Sequence, residues 1–316
     1  MVAIIPNIFI LILNWNGKHN TIECLESVTK IDYPNYHIVV MDNGSVDDSV
    51  LAIRKEFPQV TVIENKANLG FAAGNNVGID YAISKESDYI LLLNNDTIVD
   101  TQMLWEFIHA TKQYPDGGIF GAKIYYYKER QKIWFAGAEW LPKRAIFQHI
   151  GIGTIDDNTN QEVVKETAYI CGCALLIKSE VVKKIGTLEP EYFLMWEETD
   201  WCYRAKRAGY KCFVVPNAKV WHKISSSFAG GDKAPHYQYF WWRNRLLWIE
   251  RNLSSLEAFT AYAIVYREIL RQIRKYFNRN ITDTERLKTK AALQGVKDYF
   301  LRKFGDCPSW VRSHIK

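Results

Sequence analysis

Four short, mostly apolar segments in the first 96 residues constrain the fold more than any other feature of this sequence. They span residues 8–13, 37–41, 60–64 and 89–93, and segments of helical hydrophobic spacing fill the intervals between them. Short apolar runs with little polar alternation are typical of strands that are buried on both faces. Strands that alternate with helices in this way indicate a doubly wound, mainly parallel α/β sheet flanked by helices.

The sequence after residue 96 divides into a less regular part and a helical end. The predicted elements are a helix at 97–113, short strands at 119–127 and 133–135 in an otherwise irregular region, and strands at 173–177, 212–215 and 219–221. From residue 237 onward the sequence predicts helices rich in aromatic and basic residues. We therefore expect an α/β domain over residues 1–235 and a helical extension over residues 236–316.

Polar side chains follow three of the four predicted strands, at the point where each strand ends. They are Asn14 and Asn16, Asp42 and Asn43, and Asn94, Asn95 and Asp96. Asn and Asp are also common turn residues, so each cluster alone has an ordinary structural explanation. In doubly wound sheets, however, ligands bind beyond the carboxyl ends of the strands. The repetition at three strand ends favours a binding site there.

The sequence contains neither a GxGxxG motif after the first strand nor a GxxxxGK[ST] motif. Rossmann dinucleotide binding and P-loop phosphate binding are therefore unsupported. A carboxylate at a strand end can instead hold a divalent cation that bridges two phosphates. Mg²⁺ and Mn²⁺ prefer oxygen ligands and need only one or two protein carboxylates, and Asp96 is the candidate ligand.

A second cluster is acidic, with Glu197, Glu198 and Asp200 within four residues. Mutual repulsion raises the pKa of at least one member of such a cluster, as a general base near neutral pH requires. The alternative is the acidic first turn of a helix, which the helix dipole stabilises. The flanking Trp196 and Trp201 favour the site over an ordinary solvated helix face.

The motifs of this chain resemble, in order and spacing, those of family 2 glycosyltransferases with the GT-A fold. The match is nearest to the branch that contains bacterial and archaeal rhamnosyltransferases, and it covers roughly residues 7–250. The matching motifs are LNWNG (13–17), MDNGS (41–45), NLGFAAGNN (68–76), LNNDT (93–97), WEETDW (196–201), WH (221–222) and WRNR (242–245).

The resemblance implies a role for several single residues. Asp42 matches the acid that hydrogen-bonds the pyrimidine base of the donor. Residues 94–96 match the metal-binding DxD motif, with Asn94 in place of its first acid. The pair Glu197 and Glu198 matches the acidic pair whose second member deprotonates the acceptor hydroxyl, and either could be the base. His222, which by itself is more typical of a structural residue, matches a second metal ligand.

The resemblance also implies a nucleotide-diphosphate sugar as donor and Mg²⁺ or Mn²⁺ as cofactor. We expect the donor to be L-rhamnose on dTDP or a hexose on UDP, transferred with inversion. Residues 225–232, which are small and rich in glycine, are expected to close over the donor. The expected donor-binding residues are Asn14, Asn16, Asp42, Asn43, Asn68, Gly70, Asn75, Asn95, Asp96 and Trp196.

The charge of the chain is unevenly distributed. Residues 241–316 contain 16 Lys and Arg against 7 Asp and Glu, whereas the rest of the chain is slightly acidic. Basic amphipathic helices with Trp and Tyr suit an anionic membrane surface, although the aromatic residues could equally pack on the α/β domain. A lipid-linked glycan in cell-surface polysaccharide synthesis would be the acceptor. No nucleic-acid-binding motif occurs, so we expect no nucleic acid partner.

Two other functions remain as alternatives at this point. A sugar-phosphate nucleotidyltransferase also uses nucleotides, but it needs a glycine-rich N-terminal phosphate loop that residues 13–17 do not supply. A non-catalytic nucleotide-sugar-binding module would not need Asp96 and Glu198. With no secretory signal and no run of about 18 apolar residues, we expect a cytoplasmic protein, peripheral at the inner face of the cell membrane.

Overall fold

The computed structural model describes residues 5–156, 163–224 and 234–312. Its strands are β1 (Ile8–Asn14), β2 (Tyr36–Asp42), β3 (Thr61–Glu64), β4 (Tyr89–Asn94), β5 (Thr97–Val99), β6 (Gly117–Tyr126), β7 (Ile133–Phe135), β8 (Ala138–Leu141), β9 (Ile146–His149), β10 (Lys165–Glu166), β11 (Ala174–Lys178) and β12 (Lys211–His222). Its α-helices are α1 (Lys18–Val28), α2 (Ser49–Glu56), α3 (Gly70–Ser84), α4 (Met103–Gln113), α5 (Ser179–Ile185), α6 (Glu197–Arg207), α7 (Pro235–Asn252), α8 (Ser255–Phe277), α9 (Asp283–Phe300) and α10 (Ser309–Arg312). A 3-10 helix spans Pro190–Tyr192.

The first four strands form the predicted parallel half of the sheet, in the order β4, β1, β2, β3. Asn14 pairs with Asp42, and Leu13 pairs with Asn94, so the polar strand ends lie side by side. Helices cover both faces, and six of the seven residues of β1 are buried. This burial explains why the strand is apolar without alternation.

The other half of the sheet is mixed. Strand β11 runs antiparallel to both β4 and β6, whereas β12 runs parallel to β6. The sheet as a whole is a mixed sheet of mainly parallel strands flanked by helices, and helices follow it at the carboxyl end of the chain.

Three predicted elements differ in the structure. Residues 97–99 form β5, which pairs with β12, so the predicted helix starts only at Met103. The predicted short strand at 119–127 is the long buried strand β6. The two predicted strands at 212–215 and 219–221 are one strand, β12, whose register shifts around Pro216. Proline lacks the N–H that a continuous ladder of hydrogen bonds between strands needs, so Pro216 in the sequence suggested that a strand ends there.

The helices after residue 234 pack against the α/β part of the chain, at the place where its aromatic side chains cluster. Helix α7 is buried along most of its length and packs against α9. Helix α8 is different, since only Ala261 and Val265 are buried. Within the described ranges, no helix combines the length and the apolar character needed to cross a bilayer.

Candidate active site

The ends of β1 and β2 are joined by a buried hydrogen-bond network around Asp42. The Asn14 amide donates to the Asp42 carboxylate at 2.7 Å, and Asn14 in turn accepts from the Thr21 hydroxyl at 2.7 Å. Ser45 donates to Asp42 through its backbone N–H at 2.9 Å and its hydroxyl at 2.6 Å. Four donated hydrogen bonds therefore fix two neighbouring strand ends as one rigid platform.

Asn16 lies at the rim of this platform. Its Oδ1 accepts from the backbone N–H of Val46 at 2.8 Å, and its own N–H donates to the Ser45 hydroxyl at 2.8 Å. Asn16 has a φ of +49°, a left-handed conformation that Asn tolerates better than most residues. Ser45 and Thr21 carry no role in the sequence prediction. The position of Ser45, three residues after Asp42, was the available signal, because Asp commonly accepts from the backbone just after it in a turn.

The expected donor residues Asn43, Asn68 and Gly70 form a second, adjoining network. The Asn43 amide donates to the Gly70 carbonyl at 2.9 Å, and the N–H of Gly70 donates to Asn68 Oδ1 at 2.9 Å. Gly70 has a φ of +78°, and a Cβ there would lie 2.5 Å from the Phe193 carbonyl oxygen. Only glycine permits this approach, which brings the start of α3 against the segment that precedes α6.

Asn75 and Asn95 face different environments. Asn75 is buried on α3 and donates to the Phe71 carbonyl at 2.9 Å. Asn95 donates to the Thr21 hydroxyl at 2.9 Å, so it joins the Asp42 platform. The structure thus brings Asn95 together with the first strand ends, whereas the described contact of the Asn75 side chain lies within its own helix.

Asp96 and His222 meet where β4 turns into β5. His222 Nε2 lies 3.0 Å from Asp96 Oδ1, and both side chains are buried. The pairing of His222 with Thr97 in the sheet places the imidazole beside the turn. The backbone N–H of Lys223 also donates to the Asp96 carbonyl at 2.9 Å, which holds the end of β12 against the turn.

This pair fits a divalent cation of the predicted kind. Two adjacent ligands of an octahedral ion at about 2.1 Å lie roughly 3 Å apart, close to the observed separation of the Asp96 and His222 ligand atoms. Carboxylate oxygen and imidazole nitrogen both suit Mn²⁺, and carboxylate oxygen suits Mg²⁺. No group of three or more His, Cys, Asp or Glu side chains in the described ranges could hold a metal ion. Among the described residues, Asp96 and His222 are therefore the candidate metal ligands.

The segment before β11 connects the end of β4 to the acidic cluster. The backbone N–H of Asn94 donates to the Cys173 carbonyl at 2.9 Å. The next backbone N–H back along the chain, that of Gly172, lies close to the Glu198 side chain and favours the charged form of its carboxyl group by lowering its pKa. Two consecutive residues thus bridge the candidate metal site and the candidate base. This link was not predicted, because it is made through peptide groups, which give no signal in the sequence.

Glu197 and Glu198 start helix α6 and differ in their surroundings. Burial and the neighbouring Glu198 carboxylate raise the pKa of Glu197 well above its ordinary value. Burial also raises the pKa of Glu198, but backbone N–H groups of Gly172, Thr199, Trp196 and Glu198 itself oppose this rise. These N–H groups stabilise the charged form, so Glu198 is better suited than Glu197 to carry a negative charge.

Trp196 precedes this pair and packs into an aromatic cluster. Its ring lies 5.4 Å from that of Trp241 and 5.7 Å from that of Trp248, and 5% of the residue is exposed. The cluster restricts the space left for a sugar against the indole. The predicted mobile loop at 225–232 lies outside the described residues.

Comparisons with known proteins identify the family that this chain matches. The model of Glycosyl transferase family 2 matches residues 9–186, more than half of the chain. The chain is 24% identical over 263 residues to the dTDP-rhamnosyl transferase RfbF of Shigella flexneri, which covers 78% of this chain and 81% of that protein. It is 23% identical over 271 residues to the N-acetylglucosaminyl-diphospho-decaprenol L-rhamnosyltransferase of Mycobacterium tuberculosis, covering 75% of this chain and 86% of that protein.

Among solved structures, the mannosyltransferase PcManGT from Pyrobaculum calidifontis, in complex with GDP-Man and Mn²⁺, superposes with a TM-score of 0.58. The match covers 95% of this chain and 89% of that chain at 12% sequence identity. The predicted GT-A fold is therefore confirmed, as is the resemblance to the rhamnosyltransferase-like branch of the family.

Proposed function

This chain belongs to glycosyl transferase family 2, and on that basis we propose that it transfers a sugar, with inversion, from a nucleotide diphosphate to a lipid-linked glycan. The observation that carries the proposal is the connection from Asn94 through Cys173 and Gly172 to Glu198, which links the candidate base to the turn that carries Asp96. The leaving diphosphate would thus be bound, and the acceptor proton removed, at one edge of the sheet. The family match also favours transfer over the nucleotidyltransferase alternative.

The donor would lie across the ends of β1, β2 and β4. The Asp42 carboxylate would accept from the pyrimidine base, and the fixed Asn14 amide orients that carboxylate. The diphosphate would reach toward Asp96. The name of the Shigella relative, a dTDP-rhamnosyl transferase, supports L-rhamnose on dTDP as the first donor to test, with a UDP-hexose as the second.

Asp96 and His222 would hold the divalent cation, Mn²⁺ or Mg²⁺. A bound cation would neutralise the negative charge that develops on the departing diphosphate. The Asp96 carboxylate contributes the negative charge that retains the cation, and burial of both side chains keeps competing water away from them. Asn94 stands at the position of a second acid in the family motif, so the cation would depend strongly on the donor diphosphate for its other contacts.

Glu198 would accept the proton of the acceptor hydroxyl as that oxygen attacks the anomeric carbon. A single displacement of this kind inverts the anomeric configuration. The nearby N–H groups of Gly172 and Thr199 oppose the rise that burial causes in the Glu198 pKa, so they favour the charged form that a base needs. Glu197, which is more deeply buried and has the more strongly raised pKa, would be less ready than Glu198 to carry the negative charge.

A lipid-linked acceptor is supported by an exposed apolar stripe on α8, which we call the α8 stripe. These side chains recur on one side of the helix, and four of them are 61–78% exposed. The stripe comprises Leu256, Phe259, Tyr266, Ile273 and Phe277. Arg267, Arg271 and Arg274 are also exposed on this helix, and residues 241–316 carry a net charge of +9. Apolar residues flanked by Arg suit the surface of an anionic bilayer.

An apolar cleft of about 250 Å³ begins at the amino end of this stripe. It is lined by Trp140, Pro142, Leu253, Leu256 and Ala261, together with the polar residues Glu257 and Thr260. The Trp140 ring contacts Trp248, and Trp248 contacts Trp196 beside the acidic pair, so the cleft is joined to the site by packed aromatic rings. The name of the Mycobacterium relative, which acts on a decaprenol diphosphate, supports an acceptor of this type. We therefore assign residues 1–235 to the donor and chemistry, and 236–316 to the acceptor at the inner face of the cell membrane.

A donor panel tests this function directly. Purified full-length protein with Mn²⁺ or Mg²⁺ and a membrane extract containing lipid-linked glycans should release nucleoside diphosphate from one nucleotide sugar, and chelation should stop the release. Analysis of the product linkage should show inversion. No turnover with any donor in the panel would contradict the proposed activity, and retention of configuration would contradict the single displacement.

A further inference from the structure

We propose that Asn244 and Arg243 on α7 are positioning residues, which hold the strained segment 192–196 so that the acidic pair at the start of α6 is correctly directed. This inference rests on the proposed function only in treating Glu197 and Glu198 as the reacting acids. Both α7 side chains belong to the part of the chain that follows the α/β domain.

The segment before α6 has an unusual backbone. Phe193, Met195 and Trp196 have φ values of +63°, +73° and +78°, and none of them is glycine. Left-handed conformations are unfavourable for residues with a Cβ, so three within four residues persist only when surrounding contacts hold them. The strained segment runs directly into Glu197, the first residue of α6. A change in its path would therefore turn both acids.

The Asn244 side chain supplies contacts of the required kind. Its Nδ2 lies 2.8 Å from the Tyr192 and Leu194 carbonyl oxygens and 2.9 Å from that of Met195. An amide has two N–H groups, so one of them is shared between two carbonyls. Asn244 is fully buried, and its Oδ1 accepts from Arg243 Nε at 2.9 Å. One side chain thus holds three carbonyls of a five-residue segment.

Arg243 holds the start of the same segment. Its guanidinium donates to the carbonyls of Tyr192 at 2.9 Å, Glu191 at 3.2 Å and Gly305 at 2.5 Å. The side chain is fully buried, and its described hydrogen bonds go to three carbonyls, Asn244 and Tyr239 rather than to a carboxylate. A buried guanidinium is costly unless every donor is used, and here most donors are used on the backbone around the strained segment.

The opposite side of the segment contacts the donor motif. The Phe193 carbonyl accepts from the N–H groups of Phe71 at 2.6 Å and Ala72 at 3.4 Å, at the start of α3. The segment is therefore held between a helix of the donor domain and a helix of the extension. The direction of the acids follows from both contacts together, which explains how the extension contributes to chemistry in addition to any role at the membrane.

Arg245 provides a matched control on the same helix. It is also buried, but its guanidinium donates to the Arg144 and Ala145 carbonyls between β8 and β9 and pairs with Glu268. A substitution there removes a comparable set of buried contacts without touching segment 192–196. Any loss that Asn244 and Arg245 variants share reports on folding, and any loss specific to Asn244 reports on the segment.

The first experiment compares Asn244→Asp with Arg245→Gln in the full chain. Asn244→Asp keeps the shape of the side chain but removes the N–H donors, so the Leu194 and Met195 carbonyls lose this partner and the Tyr192 carbonyl keeps only Arg243. We expect kcat to fall on the order of 10²-fold, as for an acid misplaced by about 1 Å, while the KM for the donor stays within about threefold. Amide hydrogen exchange in residues 192–198 should accelerate in Asn244→Asp and stay unchanged in Arg245→Gln. Unchanged exchange in residues 192–198 and unchanged kcat for Asn244→Asp would overturn the proposal.

A double-mutant cycle keeps the proposal testable if Asn244→Asp fails to fold. Met195→Gly places the residue that best tolerates a positive φ at the strained position, so the segment then depends less on Asn244. We expect Asn244→Ser to lower kcat and to accelerate exchange less in the Met195→Gly background than in the wild-type background. Equal losses in both backgrounds would overturn the proposal. If the wild-type chain turns over no donor, the proposed function fails, and the exchange data alone still decide whether Asn244 holds the segment.

Discussion

The imidazole Nε2 of His222 lies 3.0 Å from a carboxylate oxygen of Asp96, although the two residues belong to opposite halves of the chain. The contact exists because β12 pairs with β5, the short strand that follows Asp96. A carboxylate and an imidazole at this separation are compatible with one shared cation. The sequence left metal dependence open, because Asn94 replaces the first acid of the metal-binding motif. The structure makes metal dependence testable at two side chains, Asp96 and His222.

We predict that Asp96→Asn weakens Mn²⁺ binding by about tenfold or more and lowers turnover by about 10²-fold, because the variant loses the only charged ligand of the pair. His222→Ala should weaken Mn²⁺ binding less, since it removes a neutral ligand. Mn²⁺ binding can be measured by electron paramagnetic resonance with and without nucleoside diphosphate. Asp80→Asn, on the exposed face of α3, is the control for the loss of one negative charge. Equal Mn²⁺ affinity of Asp96→Asn and Asp80→Asn would remove Asp96 from the metal site.

We predict different outcomes for the two neighbouring acids. Glu198→Gln should lower kcat by about 10²-fold or more while donor binding persists, because the variant has no group to accept the acceptor proton. Glu197→Gln should retain more activity and should unfold at a higher temperature near neutral pH, because a neutral amide replaces a deeply buried carboxyl group. Steady-state kinetics and thermal unfolding of both variants measure these effects. A larger loss of kcat in Glu197→Gln would transfer the base role to Glu197.

The raised pKa values also predict a pH dependence. Glu198 acts as a base only when it is deprotonated. Its pKa is raised above the ordinary value of about 4.3 for Glu, so activity should fall as pH decreases through this raised pKa. For stability, raised values mean that the folded state retains protons that the unfolded state has lost. Stability should therefore decline as pH rises from about 4 through the raised pKa values, and less so in Glu197→Gln. A stability difference between this variant and the wild type that stays constant with pH would contradict the assignment.

We predict that the α8 stripe binds anionic membranes. Replacing Phe259 and Phe277 by Ser should reduce co-sedimentation with vesicles containing phosphatidylglycerol several-fold, because two exposed aromatic side chains no longer enter the bilayer interface. Leu51→Ser on α2 removes an equally exposed apolar side chain elsewhere and should leave binding unchanged. Deletion of residues 260–316 is a poor test, because it also removes the Gly305 carbonyl that Arg243 contacts. Equal binding of the stripe variant and the Leu51 variant would exclude this surface.

The fold of the first 96 residues was predictable because its signals are local. The first six residues of strand β1 are apolar, and the polar residues Asn14 and Asp42 mark the strand ends directly. The region from residue 97 to 126 was predicted less well. Strand β5 has only three residues, and its strand conformation depends on pairing with β12, far along the chain. A pairing between distant segments produces no hydrophobic periodicity in the sequence around either segment.

The same division applies to the candidate site. The sequence by itself determined the carboxylates and amides that could bind a donor, since Asp42, Asp96 and the acidic pair stand in recognisable motifs. Only the tertiary structure decided that the Gly172 peptide lies close to Glu198 and that Asn244 holds the backbone before it. These contacts are made to or from peptide groups, which every residue carries. Their specificity lies in position and direction, and both are set by packing between distant segments.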